Sequence, residues 1–252
     1  MASAGSLNGR FPSRSPMPCK VRGRNLMLEQ TPTTAHPAAT VILVRDGDDG
    51  VEVLMVCRSE QVQHMGGMWV FPGGRVDPVD REDGADSDQA ALNAAIRETE
   101  EEAGLIVAPE QLFYLSHWTT PEQAKKRFAT WFFAAVLNDN QDVLVDGGEI
   151  SHHRWVRPQD AISELRSGEL RLMPPTYVTL LELLPYAECQ TLTESLSAQE
   201  PWVYEPCITE LDGAFHFLYQ GDTGYADADP ALAGPRHRCI MSDGQLDYVR
   251  EL

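Results

Sequence analysis

The stretch FPGGRVDPVDREDGADSDQAALNAAIRETEEEAGL, residues 71–105, decides the fold. It opens on a glycine pair, continues through an acidic loop and ends in an alanine-rich segment carrying Arg97, Glu98, Glu100, Glu101 and Glu102. Four carboxylates within five positions repel one another, so the arrangement calls for solvent or a cation between them. The segment DQAALNAAIRETEEEAG has the composition of a helix: it follows a candidate cap at Ser87 or Asp88 and stops at Gly104, the residue type expected just past a helix end. At about 100° per residue, and with Glu98 as zero, Glu101 falls near −60° and Glu102 near +40°, so these three share a face. Glu100 falls near 200° and points elsewhere. Leu92, Ile96, Thr99 and Ala103 fall between about 100° and 160°, a stripe able to pack on a sheet. This places the acidic face apart from the buried one. Arg97 lies beside Glu101 and is expected to bridge to the loop before the helix through bidentate hydrogen bonds.

Outward from this helix the chain alternates strands and helices. AATVILVR (38–45) and VEVLMVCRS (51–59) are apolar, β-branched runs around DGDDG and read as a hairpin. MWVFPGG reads as a short strand ended by Pro72 and the glycines, which let the backbone turn sharply. Further strands are expected at LFYLSHW (112–118), FATWFFAAVL (128–137) and EISHHRWV (149–156), and helices at PQDAISELRSG and PPTYVTLLELLPYA. The tail holds two strand pairs centred on DG turns, CITELDGAFHFLYQG and RHRCIMSDGQLDYVRE.

Composition limits the function classes. Of 252 residues, 42% are hydrophobic, enough for a real core. No run of about 18 apolar residues occurs, and the N-terminus lacks a secretory apolar segment, so no membrane insertion is expected. Cys19, Cys57, Cys189, Cys207 and Cys239 are odd in number and contain no CxxC, which argues against a disulfide framework and a zinc site and favours a reducing, cytoplasmic setting. His152 and His153 have no partner ligands at suitable spacing and read as strand residues. The formal charge is −18, and residues 1–28 hold five cations and no acid, leaving −23 on the remainder once those five are subtracted. So acidic a surface repels phosphate backbones, which excludes nucleic acid as the main partner and requires a metal or local arginines to hold a phosphorylated small molecule. Residues 1–35 are read as a basic disordered tail, 36–199 as the catalytic domain and 200–252 as a strand-rich extension packing on it.

The string R-E-T-E-E-E-A-G-L matches R-E-U-x-E-E-x-G-U, the core of the Nudix box, with Thr99 at the usually aliphatic position U. FPGG stands where that box begins, so the chain resembles a Nudix hydrolase. The outlying glutamate of the box has no counterpart, because Gln89 stands eight positions before Arg97. Upstream, LMVCRSEQVQHMGGMWVFPGGRVDPVD is similar to the coenzyme A diphosphatase signature: Leu54, Arg58, Ser59, Gly67, Phe71, Pro72, Gly73, Gly74, Asp77 and Asp80 match in register, while Val56 and Gln63 depart. About eight extra residues lie before the helix, as in the branch of coenzyme A diphosphatases with insertions.

The resemblance implies an α/β/α Nudix sandwich with a mixed sheet. It implies hydrolysis of a diphosphate with Mg2+ or Mn2+ on Glu98, Glu101 and Glu102, with Arg97 completing the catalytic set and Glu149 a further ligand or base. Arg58, Gly73 and Gly74 would meet the substrate. Coenzyme A or an acyl derivative is the preferred substrate, giving 3′,5′-ADP and a 4′-phosphopantetheine compound. ADP-ribose, a nucleotide sugar or a dinucleotide is the same-class alternative, and a non-turning-over Nudix binding module the alternative of another class. Trp69, Trp131 and Trp155 read as core, Arg236 and Arg238 as either phosphate contacts or partners of nearby acids, and the oligomer as monomer or homodimer.

Overall fold

A computed structural model describes residues 34–62, 65–122, 124–137, 141–145 and 147–251. The basic segment up to residue 33, with Cys19, and the signature position Gln63 lie outside the described residues.

The hairpin expected from the two apolar runs forms the middle of the sheet. Strand β1 (His36–Gly47) turns into β2 (Gly50–Arg58), with Gly47 opposite Gly50 and Val44 opposite Val53. Strand alternation sends Val41 and Leu43 to one face and Ile42 and Val44 to the other; all four are fully buried, as the apolar run requires of a sheet covered on both sides. The short pieces β3 (Trp69–Val70) and β4 (Gly73–Arg75) pair with β2 and β1 respectively. Strands β5 (Leu112–Thr119) and β6 (Phe128–Val136) pair with each other, and β6 runs parallel to β1. Strand β7 (Ile150–Val156) pairs with β2. The sheet is therefore mixed, in the order β3-β2-β1-β6-β5 with a further edge strand beyond β5.

Helix α1 (Ser87–Ala103) covers the face carrying Ala39, Val41 and Leu43. Its N-cap is Asp86, one residue before the expected caps, whose side chain accepts from Asp88 N at 3.1 Å and Gln89 N at 2.9 Å. Gly104 closes it in the left-handed conformation, φ 67°. The opposite face packs against α2 (Pro158–Ser167), α3 (Pro174–Leu183) and α4 (Cys189–Ala198). These layers form the α/β/α sandwich that the family resemblance implies.

Helix α4 was not legible in advance. CQTLTESLSA is rich in hydroxyl residues that compete with helix geometry. Here Thr191, Thr193 and Ser197 donate to carbonyls three or four residues back, and Cys189, Leu192 and Leu196 supply the buried contacts. Strand β8 (Trp202–Tyr204) was missed as well; it runs parallel to β5 at the sheet edge.

The tail makes a second, antiparallel sheet of β9 (Cys207–Leu211), β10 (Ala214–Leu218), β11 (Arg236–Ser242) and β12 (Gln245–Glu251), each pair joined where a DG turn was read. Phe217, Tyr219, Cys239 and Leu246 belong to the same buried cluster as Leu165, Tyr177 and Leu180. Cys57, Cys189 and Cys239 are free thiols, but Cys207 is disulfide-bonded. That corrects the reading of the cysteines as a purely reduced set and removes their weight as a sign of a reducing compartment. Among the described residues no helix is long and apolar enough to cross a membrane.

Candidate active site

The glycine pair sits in a strand and not in a sharp turn. Gly73 pairs with Thr40 and Gly74 with Ala39, so both lie against the middle of β1. Their lack of a side chain answers a close approach. A Cβ on Gly73, at φ 157°, would stand 2.3 Å from the Ala39 carbonyl oxygen, and one on Gly74 would stand 2.3 Å from the Glu98 carboxyl carbon. The sheet thus receives a glutamate of α1 directly on its backbone. Next to it, Gly73 N–H donates to Glu102 Oε2 at 2.9 Å.

Arg97 sets the shape of this corner. Its Nε and Nη2 donate to the two oxygens of Asp80 at 3.0 and 2.9 Å, the bidentate bridge to the preceding loop that the sequence called for. Nη2 also reaches the Arg75 carbonyl at 3.0 Å, and Nη1 donates to Glu98 at 2.7 Å and Glu101 at 3.0 Å. Asp80 lies in a 3-10 turn, Pro78–Gly84, is buried, and accepts from Asp77 N at 2.8 Å, while its carbonyl accepts from Asn93 Nδ2 at 3.0 Å. Asp80 entered the sequence reading only as a signature match. Its role as the anchor of Arg97 depends on the 3-10 turn that brings Pro78–Gly84 against α1.

The helix phase needs one correction. Glu102 is buried, 8% exposed, between Ala91, near +20°, and Ala95, near +60°, so the acidic and buried faces overlap. The small side chains of ALNAA allow the sheet to come close enough to cover a carboxylate. Thr99, at the position usually aliphatic, is fully buried because its hydroxyl donates back to the Ala95 carbonyl at 2.7 Å. Glu101 points outward, its side chain 59% exposed, and is held by Arg97; Glu100 is exposed.

Burial is the main force raising the Glu102 carboxyl, to about 7; the Gly73 N–H and Arg58 oppose the rise and the charges of Glu98 and Glu149 add to it. Glu98 is raised too, first by burial, against the pull of the Arg97 hydrogen bond and with Glu101 and Asp77 adding repulsion. Arg58, at the end of β2, and Glu149, before β7, meet at 3.4 Å, so both stand at the rim facing Glu102.

Among the described residues no three carboxylates converge closely enough, as they stand, to enclose a cation. The donor set nonetheless fits a hard divalent ion. It consists of oxygens only, and two of its members are pushed towards protonation by burial and mutual repulsion, a cost that a bound cation reverses.

The remaining sequence candidates lie elsewhere. Arg238 is buried and its guanidinium is taken by Asp222 at 2.6 and 2.7 Å, which decides for the acid-partner reading. Arg236 donates to the Leu232 carbonyl. Trp69, Trp131 and Trp155 are partly buried against the two clusters, Trp131 donating to Asp88 at 3.1 Å. His152 and His153 are exposed strand residues.

The family model for the NUDIX domain matches residues 34–175. The Xenopus laevis protein named acyl-coenzyme A diphosphatase NUDT19 is 30% identical over 144 residues, covering 53% of this chain; the match spans only 37% of that protein's length. A Mycobacterium tuberculosis protein named "Putative 8-oxo-dGTP diphosphatase 3" is 29% identical over 216 residues, covering 82% of this chain and 86% of its own. The crystal structure of a NUDIX hydrolase from Alicyclobacillus acidocaldarius superposes with a TM-score of 0.58 at 25% identity, covering 67% of this chain and 98% of that one.

Proposed function

The chain belongs to the Nudix family, and on that premise we propose that it is a divalent-metal-dependent diphosphatase that cleaves a nucleoside diphosphate linked to another moiety, with coenzyme A or an acyl-coenzyme A as preferred substrate. The observation that carries this reading is the corner in which Arg97 clamps Asp80, Glu98 and Glu101 while Glu98 and Glu102 rest on Gly74 and Gly73. A binding module without turnover has no need of one buried and one partly buried carboxylate held so close together at a cost in stability.

Glu98, Glu101 and Glu102 would hold Mg2+ or Mn2+, with Glu149 as a further ligand. When bound, the cation neutralises diphosphate charge and makes attack by water feasible near neutral pH. The chain's own groups do the rest. Arg97 fixes the two ends of the acidic helix segment relative to the loop, so Glu98 cannot swing away when substrate arrives. The Gly73 N–H orients one oxygen of Glu102, and the other would be left for the cation. Arg58, which meets Glu149 at 3.4 Å, would exchange it for a substrate phosphate, a charge-assisted contact.

The coenzyme A preference is supported by the signature around Arg58 and by the name of the amphibian relative. The name of the mycobacterial relative supports an oxidised nucleoside triphosphate as second reading. A panel of coenzyme A, acyl-coenzyme A, ADP-ribose, a dinucleoside polyphosphate and 8-oxo-dGTP, assayed with Mg2+ and with Mn2+ and with products identified by mass, tests the proposal. The highest kcat/KM on coenzyme A or its thioester, yielding 3′,5′-ADP, is expected. A clear preference for another member would overturn the substrate and leave the chemistry, whereas no metal-dependent cleavage of any would overturn both.

A further inference from the structure

The acidic corner gives no reason for Gly67, another of the signature positions. This glycine lies between β2 and β3 at φ 70°. Its N–H donates to the Arg58 carbonyl at 2.8 Å, and Arg58 N–H donates to the Met68 carbonyl at 3.0 Å, so the backbone of Gly67 is held on the strand end that carries Arg58. Over that backbone lies an ion pair between distant parts of the chain: Arg171 Nη2 donates to Glu60 Oε1 at 2.8 Å and to the Gly66 carbonyl at 3.4 Å. A Cβ on residue 67 would collide with both Arg171 Nη2 and the Glu60 carboxylate. Glycine is what lets the guanidinium rest there.

Arg171 comes from the segment between α2 and α3. Leu170 and Leu172, on either side of it, are buried in the cluster that those helices form with the sheet, so Arg171 is turned away from that cluster and toward the face of the sheet where α1 presents Glu98 and Glu102. Its carbonyl accepts from Trp69 N–H at 3.0 Å, and Trp69 pairs with Cys57, so the Arg171 backbone stands two strand spacings, about 10 Å, from β2. The side chain covers part of that distance on its way back to Gly67. Arg58 with Glu149 and Arg171 with Glu60 are therefore two neighbouring arginine–glutamate pairs, the first facing Glu102 and the second further out on the same rim. The outer pair is open to water, its side chains 55% and 76% exposed, and contributes little to stability. Among the described residues both bonds of Arg171 leave through Nη2, and Nε and Nη1 donate to no group. An arginine seated on a glycine backbone with part of its donor fork to spare suits a phosphate oxyanion.

We propose that Arg171 is a specificity-determining residue of the candidate active site, exchanging Glu60 for a phosphate monoester that the substrate carries outside its diphosphate. The inference rests on the diphosphatase reading for its substrate class, but binding tests it without turnover. The sign of two substitutions separates this role from that of a structural pin. If the pair only held the segment after β2, Arg171→Gln and Glu60→Gln would act alike; in a receptor they act in opposite directions, because Glu60 competes with the ligand for the guanidinium. Calorimetry at low salt with 3′,5′-ADP and with 5′-AMP, on the wild type and on both variants, is the experiment. The wild type is expected to bind the bisphosphate about tenfold tighter. Arg171→Gln should erase that gap without changing 5′-AMP binding, and Glu60→Gln should widen it severalfold. Equal affinities in the wild type, no binding of 3′,5′-ADP, a gap that survives Arg171→Gln, or one that fails to widen in Glu60→Gln would overturn the assignment. Turnover distinguishes its failure from that of the diphosphatase reading. Cleavage of coenzyme A and of its dephospho form with the same kcat/KM would remove the role of Arg171 and leave the diphosphatase. An arginine-dependent binding gap in a protein that cleaves no diphosphate would do the reverse.

Discussion

Replacing Glu102 by glutamine should stabilise the metal-free protein while abolishing its activity. The Glu102 carboxyl has an ordinary value of 4.5 and is pushed to about 7 in the fold, chiefly by burial. Below pH 4.5 it is protonated in both folded and unfolded chains and contributes nothing to the difference. Between 4.5 and 7 the unfolded chain releases its proton while the folded chain keeps it, so unfolding gains steadily; above 7 the full penalty holds. At about 1.4 kcal/mol per pH unit of that gap, the penalty reaches about 3 kcal/mol. Glutamine does not ionise, and its side-chain oxygen can still accept from Gly73 N–H, so the variant escapes the penalty without losing the contact. For a chain of this size the gain corresponds to a Tm rise of about 5–10 °C. The assay is thermal unfolding in EDTA at pH 8 and at pH 4.5. The variant should melt higher than wild type at pH 8 and nearly together with it at pH 4.5. Excess Mg2+ at pH 8 should raise the wild type more than the variant, because only the carboxylate offers a charged ligand. A variant no more stable than wild type at pH 8 in EDTA would refute the idea that Glu102 is held ionised against its surroundings.

Four further outcomes follow from the same corner. Glu98→Gln and Glu102→Gln should each lower turnover at least about a hundredfold in steady-state assays with Mg2+, and Glu100→Gln, on an exposed position, should do little; equal losses at 100 and 102 would show the helix phase to be wrong. Gly74→Ala should cut activity, since its Cβ forces the Glu98 carboxylate off the Arg97 clamp, with a smaller loss of Tm than Gly73→Ala, whose Cβ meets the Ala39 carbonyl of the backbone. Arg97→Lys loses the fork on Asp80 and should cost about 2–3 kcal/mol of transition-state stabilisation in kcat/KM, with Asp80→Asn similar in direction. Arg58→Ala should raise KM for coenzyme A more than for ADP-ribose, read from initial rates on both.

The sequence by itself determined the parts that depend on short-range pattern. The hairpin around DGDDG, the alanine-rich helix ending at Gly104 and both DG-centred pairs of the tail were legible because turn chemistry and periodicity act within a few residues. The order of Arg97, Glu98, Glu101 and Glu102 was enough for the family resemblance. Helix α4 escaped because its Ser and Thr residues are indifferent to helix formation on their own, and it is stabilised by three side chains buried against distant strands. Only the tertiary structure decided what the acidic residues do. Angles on an isolated helix put Glu102 at the edge of the acidic face, but the sheet comes so close over the alanines and the two glycines that this carboxylate is covered and its proton held to about pH 7. The same angles put Glu101 on that face as well, yet its side chain is exposed and held by Arg97, which Asp80 fixes from the turn before the helix. Arg236 and Arg238 were equivalent in sequence; burial beside Asp222 committed Arg238 to a structural ion pair. Periodicity reports which way a side chain points from its own element, whereas burial and charge pairing depend on what the rest of the chain places opposite it.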